Sequence, residues 1–298
     1  MVSAVAESVG RPLWLHSELD IDVYRLASAE LSGPDSYGAG PPPDGPDLVA
    51  RVFGPEVERD VVGAAAHVLE KLAGTRFPAE RCPPHPVLAI GEDRHVLITE
   101  YVEPSPAPGP GFVLAWCAGL LGRLAARPAT ALPAGGGWHR LGPTPSSEID
   151  QALALGGHIG APVAELVETL AVADDGAGLP EALVHADLTP PNAVPRGDQP
   201  PVIIDWVGVG RGPRIWPLAF LLYVAGPAHA RRALERYSGS VPLSEEELAR
   251  LSGVMIARPL TLDLWAVAYE RMAPGQAVTR CRAHRARVGA IRAALNKP

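Results

Sequence analysis

Three oxygen-bearing side chains stand close together in the second half of the chain. The run Leu183–Asn192 reads LVHADLTPPN, and VIIDW follows at Val202–Trp206. The carboxylate of Asp187 can orient an attacking hydroxyl and accept its proton. Asn192 and Asp205 offer hard oxygen ligands, and Mg²⁺ needs few protein ligands beside phosphate oxygens and water. Phosphoryl transfer asks for little else, because its catalysis is positioning and charge stabilisation. The spacing suits that chemistry. Pro190 and Pro191 stiffen the loop between Asp187 and Asn192. Asp205 closes an apolar strand that would project its carboxylate back onto the loop. Taken singly, each of the three reads as an ordinary solvated turn residue; the joint arrangement is what carries the reading.

The elements that must hold this set follow from periodicity. Asp22–Ala27 and Leu48–Phe53 read as strands, joined by a Pro/Gly-rich connection that cannot be regular structure. Apolar residues at Val57, Val61, Ala64, Val68 and Leu72 predict one helix over Glu56–Leu72, with Gly74 just past its end. Pro86–Gly91 and His95–Tyr101 read as a strand pair. A breaker-rich stretch, PSPAPGPG, then marks a linker. Beyond it Phe112–Arg127 reads as a buried helix, Ser147–Leu155 and Ala161–Ala173 as further helices. From Ile215 onward the chain reads as helical pieces broken at Pro217, Pro227, Ser238–Pro242, Pro259 and Pro274–Gly275. The expected architecture is α+β: a small sheet with one helix over residues 1–103, and a larger, mainly helical unit over 104–298.

Composition limits the partners. The 298 residues are 47% hydrophobic, enough for a real core. No uninterrupted apolar run reaches the roughly 18–20 residues of a membrane span, and the first residues lack the basic start and long apolar stretch of a signal peptide. Neither a membrane nor nucleic acid is expected as a partner, the latter because net charge is −7. Cys82, Cys117 and Cys281 are far apart and form no CxxC pair, so a reduced, cytoplasmic setting without structural zinc is expected. The arginines of the last helix read as a solvated face.

HADLTPPN with VIIDW resembles the HxDxxxxN … IDW signature of the aminoglycoside phosphotransferase family, which extends to macrolide, choline and homoserine kinase relatives. The order of residues also parallels the protein-kinase catalytic loop, with IDW in place of DFG. The resemblance runs from about residue 10 to about residue 225. It implies a protein-kinase-like bilobal fold, with Asp187 as catalytic base and Asn192 and Asp205 binding Mg²⁺ and the nucleotide. ITEYVE at Ile98–Glu103 is similar to the family's hinge, where the carbonyl of Thr99 and the amide of Tyr101 would bond adenine. SELDIDVYRL resembles the phosphate-covering loop, and LVARVF the strand that carries the phosphate-binding cation, here Arg51. RFPAERC also has the look of family members. The only lysines are Lys71 and Lys297, neither on a candidate strand, so Arg51 is the one cation available there. His185 has no chemistry in the family and is expected to brace its loop through backbone carbonyls.

The pattern departs from the family in three places. HSELDID has no glycine. Ala65 stands near the place of the helix glutamate that would pair with the strand cation; Glu58, Asp60 and Glu70 are candidates a turn or more away. Pro217 stands where an aspartate commonly follows IDW.

The implied activity is O-phosphorylation of a small molecule, an antibiotic or natural product, with ATP or GTP as donor and a monomer or homodimer as the active form. A metabolic kinase for a small alcohol or amino alcohol and a catalytically weak nucleotide-binding scaffold are the alternatives. A protein kinase would need an APE-like segment that is absent. The acceptor is expected between the catalytic loop, Pro128–Ser147 and Leu260–Met272, the last containing Asp263, Trp265 and Glu270.

Overall fold

The structure is a computed structural model, and it describes residues 13–18, 21–26, 46–55, 57–91, 94–106, 109–127, 148–185 and 187–297. Five antiparallel strands make the first sheet: β1 (Leu13–Glu18), β2 (Ile21–Leu26), β3 (Leu48–Phe53), β4 (Val87–Ile90) and β5 (Arg94–Glu100), in spatial order β1-β2-β3-β5-β4. Among the described residues, one helix, α1 (Arg59–Ala73), lies in the same lobe. β1 is a strand beyond those expected, formed from the residues just before and within the loop-like SELDID stretch.

β3 is the middle strand and all six of its residues are buried. Side chains alternate across a strand. Leu48, Ala50 and Val52 therefore join Tyr24, Leu26, Val96 and Ile98 in a small core on one face. Phe53 faces the other way, into the main core with Leu97 and the α1 residues Val62, Val68, Leu69 and Leu72. Arg51 shares the period of Phe53, and Thr99 on β5 shares that of Leu97. The pleat thus sends a cation and a hydroxyl to the same face.

The second lobe is mainly helical: α2 (Pro110–Ala125), α3 (Glu148–Ile159), α4 (Ala164–Ala171), α5 (Ile215–Ser238), α6 (Glu245–Ala268) and α7 (Pro274–Leu295). Two short two-stranded sheets interrupt it, β6 (Glu181–Val184) with β9 (Gly210–Pro213), and the hairpin of β7 (Ala193–Arg196) with β8 (Gln199–Ile203) between them in the chain. α2 is apolar nearly all round, as a core helix must be. At Gly122 a β-carbon would lie 2.7 Å from the Tyr237 carbonyl, so only glycine admits that close approach of α2 and α5.

The prolines act differently from expectation. Pro217 falls in the first turn of α5, where the missing N–H costs nothing. Pro259 lies inside α6 without ending it. Burial of Met255, Ala257, Leu260 and Leu264 outweighs the lost backbone bond. Pro227 does disturb α5: Gly226 has φ +65° and the helix kinks there. Pro227 cannot donate to the carbonyl of Tyr223, four residues back. Arg287 of α7 fills the gap, its Nε donating to Tyr223 O at 2.9 Å and its Nη2 to Val224 O at 3.0 Å.

The other arginines of α7 also hold neighbours rather than forming a purely solvated face. Arg280 pairs with Asp263 of α6 at 3.0 Å, and Arg282 with Glu165 of α4 at 2.7 Å. α6 has the length and composition of a membrane span, but 61% of that window is buried inside the protein, as in a core helix. A capping box of Ser244 and Glu247 starts it, and Arg214 grips the buried Glu247 with two bonds of 2.7 Å.

Replacing Arg287 with alanine is expected to lower unfolding free energy by about 1–3 kcal/mol, because two carbonyls at the kink lose charge-assisted partners. Urea titration reads this, and an unchanged midpoint and slope would mean that water serves those carbonyls equally well.

Candidate active site

The loop between β6 and β7 carries LVHADLTPPN. His185 is buried at its start. Its Nδ1 accepts the Asp187 amide at 3.1 Å, so the ring hydrogen sits on Nε2, which donates to Ile204 O at 3.2 Å. The ring also meets Trp206 edge-on at 4.8 Å. The histidine thus braces its own loop against the one carrying Asp205, the bracing role expected of it. Burial holds its pKa below the ordinary 6.5, against the opposing pull of Asp205 and Asp187.

Pro190–Asn192 form a short 3₁₀ turn, with Asn192 N donating to Thr189 O at 3.0 Å. Thr189 Oγ1 donates to Asp187 Oδ1 at 2.6 Å, and Asn192 Nδ2 donates to the Asp187 carbonyl at 2.9 Å. The second Asp187 carboxylate oxygen takes no part in the Thr189 bond. The Asn192 amide is oriented by its nitrogen, and its oxygen takes no part in that bond. β7 pairs with β8, Ala193 opposite Ile203, and Ile204 N donates to Asn192 O at 3.0 Å. That pairing brings Asn192 and Asp205 to neighbouring positions at one end of the hairpin. Asp205 itself has φ +63°, a left-handed conformation uncommon for aspartate. These bonds tie the Asp187 loop to the segment carrying Asp205.

Arg51 reaches the site from β3. Its Nη1 donates to Glu80 Oε2 at 3.0 Å and to Thr99 Oγ1 at 3.1 Å. Burial works against the guanidinium charge, yet the carboxylates of Glu80 and Asp205 more than offset it and its pKa is raised. The partner is therefore not a helix residue. Asp60 and Glu70 on α1 are exposed and Glu58 precedes the helix, whereas Glu80 lies in the coil after it, 2% exposed. Glu80 also receives Thr99 Oγ1 at 2.8 Å and, on Oε1, the amide of Asp205 at 3.0 Å. Sequence reasoning passed over it: RFPAERC stood out only as a familiar segment, with no periodicity to say where its carboxylate points.

The hinge departs from expectation by its strand register. Ile98 N and Glu100 N donate outward, to Pro86 O and Arg81 O, while Tyr101 N donates to Asp47 O at 2.7 Å. The alternation faces the backbone of Thr99 toward Val49 of β3, its cross-strand partner. The Tyr101 amide is thus committed to the chain leading into β3 rather than free to meet a base, and Thr99 enters the site through its hydroxyl. The Tyr101 side chain faces a cavity, with the Arg25 guanidinium 3.9 Å above its ring and held by Asp47.

That cavity is about 680 Å³, within the range of small-molecule sites. Val23 and Val49 come from the sheet, Pro110 and Val113 from α2, and Ala193 and Ile204 from the segments flanking Asn192 and Asp205. Arg51 and Glu80 also line it. It is a mostly apolar slot between the lobes, with Arg51 on its wall and Pro191, Ala193 and Ile204, the chain neighbours of Asn192 and Asp205, among its lining.

The acceptor-side expectations fare differently. Residues 128–147 lie outside the described residues. Asp263 is buried and bonded to His284 Nε2 at 2.8 Å as well as to Arg280, so it is no open carboxylate for a cationic ligand. Glu270 is exposed, with φ +56° just past the end of α6.

The chain's residues 39–252 match the phosphotransferase enzyme family, and the chain belongs to that family. Its fold is protein-kinase-like and bilobal, and it is a small-molecule kinase. A thermostable mutant of aminoglycoside phosphotransferase APH(4)-Ia, solved in ternary complex with ADP and hygromycin B, superposes with TM-score 0.61 at 16% identity, covering 97% of this chain and 98% of that one. The microcompartment-associated aminopropanol kinase gives TM-score 0.67 at 14% identity, covering 96% and 94%. A choline/ethanolamine kinase family protein from Mesorhizobium loti gives 0.56 at 18%, covering 97% and 95%. Comparison with curated protein sequences yields no match.

The buried imidazole has a consequence for pH. The unfolded chain takes up a proton near pH 6.5 and the folded chain only lower. Stability from this group is complete above about pH 6.5 and is lost as pH falls from there toward the folded value. In metal-free protein, His185→Gln should flatten the decline in stability between about pH 7 and about pH 5. An equally steep decline in the variant would place the acid sensitivity elsewhere.

Proposed function

We propose that the chain transfers the γ-phosphoryl group of a nucleoside triphosphate, ATP or GTP, to a hydroxyl of a small molecule, an antibiotic or natural product. The observation that carries this is the meeting of Asp187, Asn192 and Asp205 beside a nucleotide-sized apolar cavity with Arg51 along its wall. The base and sugar would fill the slot, with the triphosphate running toward Arg51 and the hairpin end.

Each residue has a role in that scheme. Asp187 accepts the hydroxyl proton through the oxygen that Thr189 leaves free, and orients the hydroxyl for in-line attack. Arg51 has spent its two Nη1 hydrogens on Glu80 and Thr99; its Nη2 and Nε edge is left for α- and β-phosphate oxygens. A lysine making the same two bonds would keep one donor; arginine keeps three. The amide oxygen of Asn192 and the carboxylate of Asp205 fit a hard divalent cation, and they would hold Mg²⁺, which supplies charge neutralisation across the phosphates.

A metabolic kinase for an amino alcohol is the second reading, favoured by the likeness to an aminopropanol kinase and a choline/ethanolamine kinase family protein. Incubation of a compound library with Mg·ATP or Mg·GTP, read by mass spectrometry, separates the two. A gain of one phosphate on an antibiotic or natural product supports the first reading, and a gain confined to amino alcohols supports the second. No phosphorylated product with nucleotide binding retained would contradict both and leave the nucleotide-binding scaffold.

Once an acceptor is in hand, Asp187→Asn should lower turnover at least about 10²-fold with nucleotide affinity retained. Full activity in that variant would remove Asp187 as the base. Asp205→Ala should abolish Mg²⁺-dependent nucleotide binding by calorimetry, and Asn192→Ala should weaken it less, the amide being neutral. Unchanged affinity in Asp205→Ala would contradict the ligand assignment.

A further inference from the structure

We propose that Glu80 is a positioning residue that aims Arg51 and pins the backbone of Asp205 with one carboxylate, so that the phosphate-binding cation and the metal loop are set together by a residue outside α1. The inference rests on the nucleotide reading given above. Both oxygens of Glu80 are spoken for: Oε2 accepts from Arg51 and Thr99 on the sheet side, and Oε1 accepts from the Asp205 amide on the side of the helical lobe. A carboxylate that is 2% exposed is tolerable only when its charge and lone pairs are met, which they are.

The backbone carrying Glu80 is itself fixed from two directions. Glu80 N donates to Ile203 O at 3.0 Å and Ile203 N to Pro78 O at 2.8 Å, a parallel bridge onto β8. On its other side Arg81 O accepts from Glu100 N of β5 at 2.7 Å. The carboxylate is therefore anchored to the strand that ends just before Asp205 and to the strand beside Arg51. Its bond to the Asp205 amide also supports the left-handed backbone there, which an aspartate adopts only when its surroundings impose it. α1 presents Ala64, Ala65 and Ala66 among its buried residues and sends no carboxylate to Arg51. The carboxylate that aims Arg51 comes from the coil after α1, whose Arg81 side chain also donates to Ala73 O at the end of that helix at 2.6 Å.

Hydrogen exchange on the nucleotide-free protein tests this without reference to activity. Glu80→Ala should speed exchange of the peptide spanning residues 203–207 at least tenfold, with α6 and α7 unchanged. Glu80→Gln keeps an oxygen for the Asp205 amide and should stay nearer the wild type in that peptide. In steady-state kinetics Glu80→Gln should raise the nucleotide KM at least tenfold and leave the acceptor KM in place, a split that general destabilisation would not produce. Unchanged exchange at 203–207 in Glu80→Ala, or an unchanged nucleotide KM in folded Glu80→Gln, would overturn the proposal. Should the wild type bind no nucleotide, the functional reading fails, while the exchange result still decides whether Glu80 holds the Asp205 loop.

Discussion

A carboxylate buried away from water must be met by donors, and Glu80 meets that requirement with a guanidinium, a hydroxyl and a backbone amide drawn from three separate parts of the chain. The rest of the site is arranged around this one demand. β3 must turn Arg51 to the face that Phe53 shares, or the pair cannot form. The coil after α1 must run beside β8, or the amide of Asp205 lies out of reach. Phe77, a few residues earlier, seats that coil by packing edge-on against Trp206 at 5.9 Å. Core packing and polar satisfaction thus specify the same placement of the two lobes, the agreement between levels that a well-defined native state needs.

The helical lobe contributes a second brace of the same kind. His185 takes the amide of Asp187 and gives its own hydrogen to Ile204 O, which joins the Asp187 loop to the segment carrying Asp205. Together with the Glu80 bond, the short stretch from Ile203 to Trp206 is held from both lobes. Arginine as the cation fits this arrangement. Its charge does not depend on a neighbour, and its five donors allow two to be committed to positioning while three remain.

The meeting of Asp187, Asn192 and Asp205 was legible in the sequence because they lie within about twenty residues and their order encodes loop, turn and hairpin. The sheet, its helix and the mainly helical second half were legible from periodicity for the same reason. Glu80 was not: it is 29 residues from Arg51 and 125 from Asp205, in a coil where no period says which way a side chain points. The hinge failed by register. A strand's alternation decides whether a backbone group faces its neighbour or the cleft, and one residue reverses it. The prolines misled where packing prevailed, at Pro259, and informed where no compensation existed within the helix, at Pro227. Asp263 read as an open acidic residue because its partners, Arg280 and His284, come from the next helix.

The central claim is that Arg51 and Glu80 act on the nucleotide as one unit. A double-mutant cycle read as Mg·ATP affinity by calorimetry addresses it directly, with Arg51→Met, Glu80→Gln and the double variant. Non-additive losses are expected: once Arg51 is gone, removing the Glu80 charge should weaken binding little further. Losses that simply sum would contradict the claim and leave two independent side chains.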